Sequence, residues 1–300
     1  PKLIQLMEFP ILFLGGSPQN IPGLYSLMNY AALKLGTWYP EGGFARVTSG
    51  MTDLAQELGV EINTNEPVTA ITVLGDRVSS LTTVKGTYEF DAVICAADYA
   101  HCEQLLEKPF RNYSNEYWDT MVFSPSSLIF YVGVNKRLRG LYHHNLFFDN
   151  ALVQHTEDIY KNPRWPEKPL FYVCCPSKTD QGVAPEGHEN LFILMPIAPG
   201  LEDSPMIREK YFSMLVDRIE KVSGETDLSK HIDFKRSYCI EDFSADYNSY
   251  KGNAYGLANT LRQSAFMRPS LRNKKVKNLF YAGQLTVPGP GVPPAVISGQ

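Results

Sequence analysis

An α+β fold is what this sequence predicts, and three features predict it. Apolar and aromatic runs of strand length recur between turn signals from residue 60 onward. Other segments place apolar side chains at steps of three and four. The chain ends on a strand, a glycine and the first turn of a helix. At 300 residues and 44% hydrophobic side chains there is material for one large domain or two ordinary ones.

Taken in order, Leu3, Ile4, Leu6, Met7, Ile11 and Leu14 fit a helical spacing that Pro10 is expected to break. A second helix is expected over 22–33, with Leu24, Leu27, Met28 and Ala31 on one face. These are either ordinary core helices or an apolar surface that a lipid or a bilayer can share. Trp38-Tyr39-Pro40-Glu41-Gly42-Gly43 reads as a turn into a helix whose Phe44, Val47, Met51, Leu54 and Leu58 share a face, closed by Gly59. A meander then follows over 68–74, 78–84 and 88–96, with turns at Gly75-Asp76 and Lys85-Gly86. Asp98, just beyond it, suits a helix N-cap or an exposed loop, and a dinucleotide contact is the sharper reading.

From about residue 106 the strands become aromatic and their connections longer. Strands are expected over 127–135, 146–148, 170–175 and 190–196, apolar enough to be buried on both faces or to line a cavity. Ser204-Pro205 caps a helix running to about residue 222, with Met206, Tyr211, Met214, Leu215, Ile219 and Val222 facing inward and Gly224 closing it. A strand over 232–240, a polar helix over 241–247, and a stretch at 256–268 carrying Asn259, Arg262 and Gln263 lead to the end of the chain. There the apolar run 278–282 stops at Gly283. The Pro/Gly loop 288–294 cannot continue a ladder, and Ala295, Val296 and Ile297 look like a helix start. A strand–turn–helix of this kind can present backbone N–H groups to an electron-rich ligand.

Composition closes off several functions. Lys plus Arg number 28 against 32 Asp plus Glu, a net charge of −4, which gives no basic field for nucleic acid. Five cysteines without regular spacing do not make a disulfide scaffold, and no apolar run reaches membrane-spanning length. Asn112-Tyr113-Ser114 matches a glycosylation acceptor with nothing else pointing to secretion. No metal site is expected. Cys174 and Cys175 are adjacent and should face opposite ways, and His143 and His144 should likewise diverge, without a companion at ligand spacing.

Several stretches together resemble the bacterial-type phytoene desaturases (carotenoid dehydrogenases), FAD-dependent members of the flavin amine oxidase superfamily. They are Tyr39-Pro40-Glu41-Gly42-Gly43, Pro176-Ser177-Lys178-Thr179-Asp180 with Ala184-Pro185-Glu186-Gly187-His188, the run from Tyr250 to Leu257, Arg268-Pro269, and Pro288-Gly289-Pro290-Gly291-Val292-Pro293. In that family the last strand and loop lie against FAD. The resemblance therefore implies cofactor contacts from Gly283, Gln284, Gly291, Val292, Pro293 and Ala295, and backbone contacts to adenine around Val68. Two positions depart from the pattern: Gln284 stands where many relatives in the superfamily carry an acid, and Val287 where a histidine is usual before the Pro-Gly.

The resemblance implies a mixed-sheet substrate domain with covering helices, interleaved with part of a Rossmann-like FAD-binding domain. Residues 1–40 and 106–268 would serve the substrate, and 41–105 and 269–300 the cofactor. No Gly-x-Gly-x-x-Gly is present, so the pyrophosphate cradle is expected upstream of Pro1. The chain is then expected to be a fragment, inactive alone, without FAD of its own and prone to self-association. The implied reaction of the full-length enzyme is desaturation of a long apolar polyene, phytoene or a related carotenoid, by hydride transfer to flavin N5. The implied setting is cytoplasmic, with peripheral association at the inner face of a membrane. Alternatives are a carotenoid or retinoid saturase or isomerase on the same scaffold, or a non-catalytic lipid-binding module. No residue stands out as a general base, and the sequence nominates no catalytic residue.

Overall fold

The computed structural model describes residues 2–12 and 15–300; the expected helical position Leu14 lies outside them. The first half of the chain runs α1 (Lys2–Leu12), α2 (Leu27–Tyr30), α3 (Phe44–Glu57), β1 (Val68–Leu74), β2 (Arg77–Thr83), β3 (Thr87–Glu89), β4 (Val93–Cys95), α4 (Tyr99–Gln104), α5 (Asn115–Thr120), β5 (Ser126–Val134) and β6 (His144–Phe147). Then come α6 (Leu152–Tyr160), β7 (Phe171–Cys174), β8 (Glu189–Ile197), α7 (Pro205–Ser223), β9 (Ile232–Tyr238), α8 (Ile240–Tyr247), β10 (Leu279–Tyr281) and α9 (Val292–Ser298). Contacts group the chain into two compact units, one of 1–10, 24–62 and 126–241, the other of 11–23, 63–125 and 242–300. These units divide the chain differently from the functional segments expected from the sequence: 41–62 groups with the long sheet, and 106–125 and 242–268 with the C-terminal strand.

The first unit is built on a five-stranded sheet in the order β6-β7-β8-β5-β9, antiparallel at every pairing. β5 and β8 are central and almost continuously buried, which is why their sequences are apolar at successive rather than alternate positions. Leu128, Phe130, Val132, Ile193 and Met195 pack with Tyr211, Leu215 and Ile219 of α7 in one core. The α7 caps are as the sequence predicts: the Ser204 hydroxyl accepts from the Ile207 N–H, and Gly224 is left-handed at φ 72°. Two inward assignments fail. Met206 and Val222 are exposed, because they sit at the helix ends while the buried stripe runs through Tyr211, Phe212, Leu215, Val216 and Ile219.

The same unit carries much unpartnered apolar surface. Leu24, Leu27, Leu33 and Trp38 are exposed, as are Phe44, Met51, Leu54 and Leu58 on the single apolar face of α3. The periodicity of α3 is as expected, with Gly59 at φ 84°, but its face is bare. The expected helix over 22–33 is instead a 3-10 turn at Gly23–Ser26, α2, and a π turn at Ala31–Leu35. Pro10 does not break α1. It lies in the last turn, where its missing N–H forfeits one ladder bond and little helix remains to disrupt.

The second unit holds the antiparallel meander β1-β2-β3 and a parallel pair, β4 with β10. The expected continuous strand over 88–96 is two strands, since the chain leaves the meander at residues 90–92 and reaches β10 as β4. Asn278 fixes that exit: its side-chain oxygen accepts from Val78 N–H (2.7 Å), and its amide donates to Val78 O (3.1 Å) and Asp91 O (2.8 Å). The core beneath is aromatic, with Tyr99 stacked on Tyr281 at 3.9 Å and Trp118 against Tyr99 at 5.5 Å. β4 buries one face only: Val93 is buried while Ile94 is 61% exposed.

Candidate functional site

Parallel strands leave their carboxyl ends open, and in α/β sheets ligands collect there. Both strands of the parallel pair end at one cavity of about 560 Å³. Ala96, Ala97 and Asp98 follow β4, Ala282, Gln284 and Leu285 follow β10, and Phe243, Tyr247, Asn253, Gly291, Val292 and Ala295 are among the other lining residues. Ala96, Ala97 and Ala282 at the strand ends leave room for a flat group, and Phe243 with Tyr247 supply aromatic surface to lie against it.

The walls are held by side chains buried behind them. Arg268, 4% exposed, donates to Gln284 O (3.2 Å), Leu257 O (3.0 Å) and Asn259 Oδ1 (2.6 Å). Gly256 passes so close to residue 284 that a β-carbon would meet Gln284 O at 3.2 Å, and its N–H is fixed by Asn253 Oδ1 at 2.6 Å. This accounts for the Asn253-Ala254-Tyr255-Gly256 stretch as a brace for the cavity. Asp98 is the N-cap of α4: one oxygen accepts from Ala100 N–H and His101 N–H, the other from Tyr250 N–H at 3.2 Å. Burial raises its carboxyl above the usual range, against those hydrogen bonds. It is a structural acid with its acceptor sites in use.

Of the residues expected at a cofactor, Gln284, Gly291, Val292 and Ala295 line this cavity, whereas Gly283, Pro293 and Val68 do not. Gly283 sits just behind it at φ 106°, and its N–H is taken by the Ser298 hydroxyl at 2.8 Å. Val68 is in the meander, paired with Thr83. The helix begins at Val292 with Gly291 as N-cap, not at Ala295. Pro293 and Pro294 have no N–H and Ala295 N–H already donates to Gly291 O at 2.9 Å, so at most Val292 offers an amide from the first turn. The expected fan of free amides is therefore not built. The cavity fits the flat ring part of a flavin and not its pyrophosphate.

A second cavity, of about 910 Å³, lies within the other unit and joins two stretches far apart in sequence: Tyr39, Glu41, Gly42 and Arg46 line it with Thr179, Asp180, Gln181 and Gly182. Gly42 and Gly43 adopt φ of 78° and 82°, a turn that side chains disfavour, and Gly42 N–H donates to the Asp180 carboxylate at 2.7 Å. In the same Pro176–Asp180 stretch, Lys178 (2.7 Å) and a hydrogen bond from Ser177 hold the buried Glu189. Burial alone would raise the Glu189 carboxyl, but these partners outweigh it and hold it below the usual range. Sequence spacing gives no signal for this meeting of loops.

The chain matches the family model of flavin containing amine oxidoreductases over residues 7–300. It is 41% identical over its whole length to a carotenoid 3,4-desaturase of Haloarcula japonica, covering 61% of that protein, and 32% identical to a zeta-carotene-forming phytoene desaturase of Myxococcus xanthus, covering 58%. The chain thus spans about three-fifths of the length of the curated relatives it matches. Among solved structures, an oxidoreductase from Methanosarcina mazei superposes with TM-score 0.58 at 15% identity, over 87% of this chain and 54% of that one.

Proposed function

The chain belongs to the flavin containing amine oxidoreductase family, and from that premise we propose that it is part of an FAD-dependent desaturase of a long apolar polyene of the carotenoid class. The observation that carries the reading is the alanine-floored cavity at the carboxyl ends of β4 and β10. When bound there, FAD supplies the hydride acceptor. Ala96, Ala97 and Ala282 would leave space for its ring, Gln284 and Val292 would border it, and Phe243 and Tyr247 would flank it. The polyene is the business of the sheet unit, with its exposed apolar side chains. The test is product analysis: full-length protein with FAD and liposome-dissolved phytoene or a later carotenoid should yield products with longer conjugation. Unchanged substrate across that series overturns the assignment.

Gly291 gives a sharper readout. At φ 118° a side chain is strained, and a β-carbon would meet Pro294 Cδ at 3.3 Å. Gly291→Val should cost about 1–3 kcal/mol in backbone strain and distort the cavity wall. Flavin content and turnover of the full-length enzyme should fall together. Full flavin occupancy with normal turnover would show that this loop does not border the cofactor.

Substrate of this kind partitions into bilayers, and exposed Leu24, Leu27, Met28 and Leu33 form a surface that can meet one. No described helix is long and apolar enough to cross a membrane. We assign the surface to peripheral docking. Leu27→Asp should reduce liposome binding of the full-length protein several-fold and leave FAD content alone; unchanged partitioning removes the docking role.

A further inference from the structure

Antiparallel pairing of β6 with β7 sets His144 directly opposite Cys174, so the two side chains share a sheet face. Tyr172, two residues before Cys174, shares that face as well. His143 was expected to point away. It sits in a bend ahead of β6, outside the strand alternation, and its ring centroid lies 4.3 Å from that of His144. The missing companion at ligand spacing is Cys174, supplied by strand pairing. One potential ligand atom from each of His143, His144 and Cys174 lies within 4.8 Å of the other two.

The hydrogen bonds around the trio settle which nitrogens are available. His143 Nδ1 is 2.6 Å from the Thr179 hydroxyl, which itself donates to Pro176 O at 3.4 Å and so accepts from the ring. That leaves the proton on Nδ1 and a lone pair on Nε2. His143 Nε2 is buried and has no hydrogen-bond partner, a state that ordinarily costs about 1–3 kcal/mol. His144 Nδ1 is likewise engaged, 2.6 Å from the Tyr172 hydroxyl. Imidazoles tied at Nδ1 by an oxygen and open at Nε2 are how proteins orient histidine ligands to a metal.

We propose that His143 Nε2, His144 Nε2 and Cys174 Sγ form a zinc(II) site, with water in the fourth position. Two imidazoles and a thiolate suit this borderline-soft ion, and bonds of about 2.0–2.3 Å need ligand atoms about 3.5 Å apart. On binding, the three ligand atoms draw in from their present spread of up to 4.8 Å while the Nδ1 hydrogen bonds of both rings stay made. On binding, Cys174 gives up its thiol proton to solvent as the Zn–S bond forms. The ion would fasten edge strand β6 to β7 and, through Thr179, to the loop that carries Asp180.

The site is tested on full-length, chelator-stripped protein titrated with Co²⁺ as a spectroscopic stand-in and then with Zn²⁺. One equivalent per chain should produce a sulfur-to-cobalt charge-transfer band and tetrahedral ligand-field bands, both erased by Zn²⁺. Cys174→Ser should abolish the charge-transfer band. Tyr172→Phe, which keeps all three ligands and removes only the hydroxyl behind His144, should weaken Zn²⁺ binding about 10–100-fold. Absence of the sulfur band in the parent protein, or its persistence in Cys174→Ser, overturns the proposal. Neither readout depends on flavin or turnover.

Discussion

Arg268→Met should unfold the unit around β10 more readily than any other single change near the cavity, by about 3 kcal/mol or more. The guanidinium is the donor for three buried or half-buried oxygens, those of Leu257, Gln284 and Asn259. Methionine fills similar space and donates nothing, so each acceptor loses a partner at about 1–3 kcal/mol apiece. Gly289 adds a constraint from the other side, since a β-carbon there would meet Arg268 Nε at 3.0 Å. Loop and guanidinium are fitted to each other. A midpoint drop of about 6–12 °C is expected for a unit of this size, with flavin content of the full-length enzyme falling alongside. Arg268→Lys should recover only part, because a point-charge ammonium cannot reproduce the planar fork. A Met variant that melts with the parent and keeps its flavin would mean that the loop is held by something else.

What the sequence reveals of this architecture is its local grammar. Ser204 and Gly224 mark α7 because capping is decided within a turn, and Gly59 ends α3 for the same reason. The strand–glycine–helix order at 279–298 is legible too, and four of the residues it nominates line the cavity. What it hides is pairing. Nothing in the spacing of residues 93–95 and 279–281 says that they lie parallel, yet that pairing puts Ala96 and Ala97 beside Ala282. The same blindness kept Cys174 apart from His144, and the Gly42-Gly43 turn apart from Asp180. Arg268 was visible only as part of a resemblance; its three acceptors come from two separate stretches of chain, 257–259 and the turn at Gln284. Periodicity also reports an apolar face without reporting its cover, as the bare stripe of α3 shows.

Acidification should weaken the sheet unit before any carboxylate there is protonated, and His155 is the reason. The residue is 1% exposed, its Nδ1 accepts from Leu170 N–H at 2.9 Å, and its Nε2 donates to Pro196 O at 2.8 Å. A second ring proton would face the Leu170 N–H with no acceptor, and burial holds the imidazole down to about 4. In the unfolded chain the same ring titrates near 6.5. A depressed histidine means that the unfolded state binds the proton first. Stability is therefore full above about pH 6.5, falls as pH drops through the window, and levels off below about pH 4. The shift of about 2.5 units corresponds to about 3 kcal/mol in all, of which about 2 kcal/mol is gone by pH 5. Glu189, held low by Lys178 and Ser177, acts in the same direction but only once pH falls below the usual carboxylate range. Asp98 and Glu103 in the other unit are raised by burial, so their contribution has the opposite sign and is lost as pH rises. Urea unfolding followed by fluorescence in a Trp38→Phe, Trp118→Phe background, where the emission comes from Trp165 against the sheet unit's core, should resolve the histidine step. His155→Phe should be less stable at neutral pH, with Leu170 N–H and Pro196 O unpaired, yet nearly flat between pH 6.5 and 5. An equal slope in parent and variant would assign the acid sensitivity to another group.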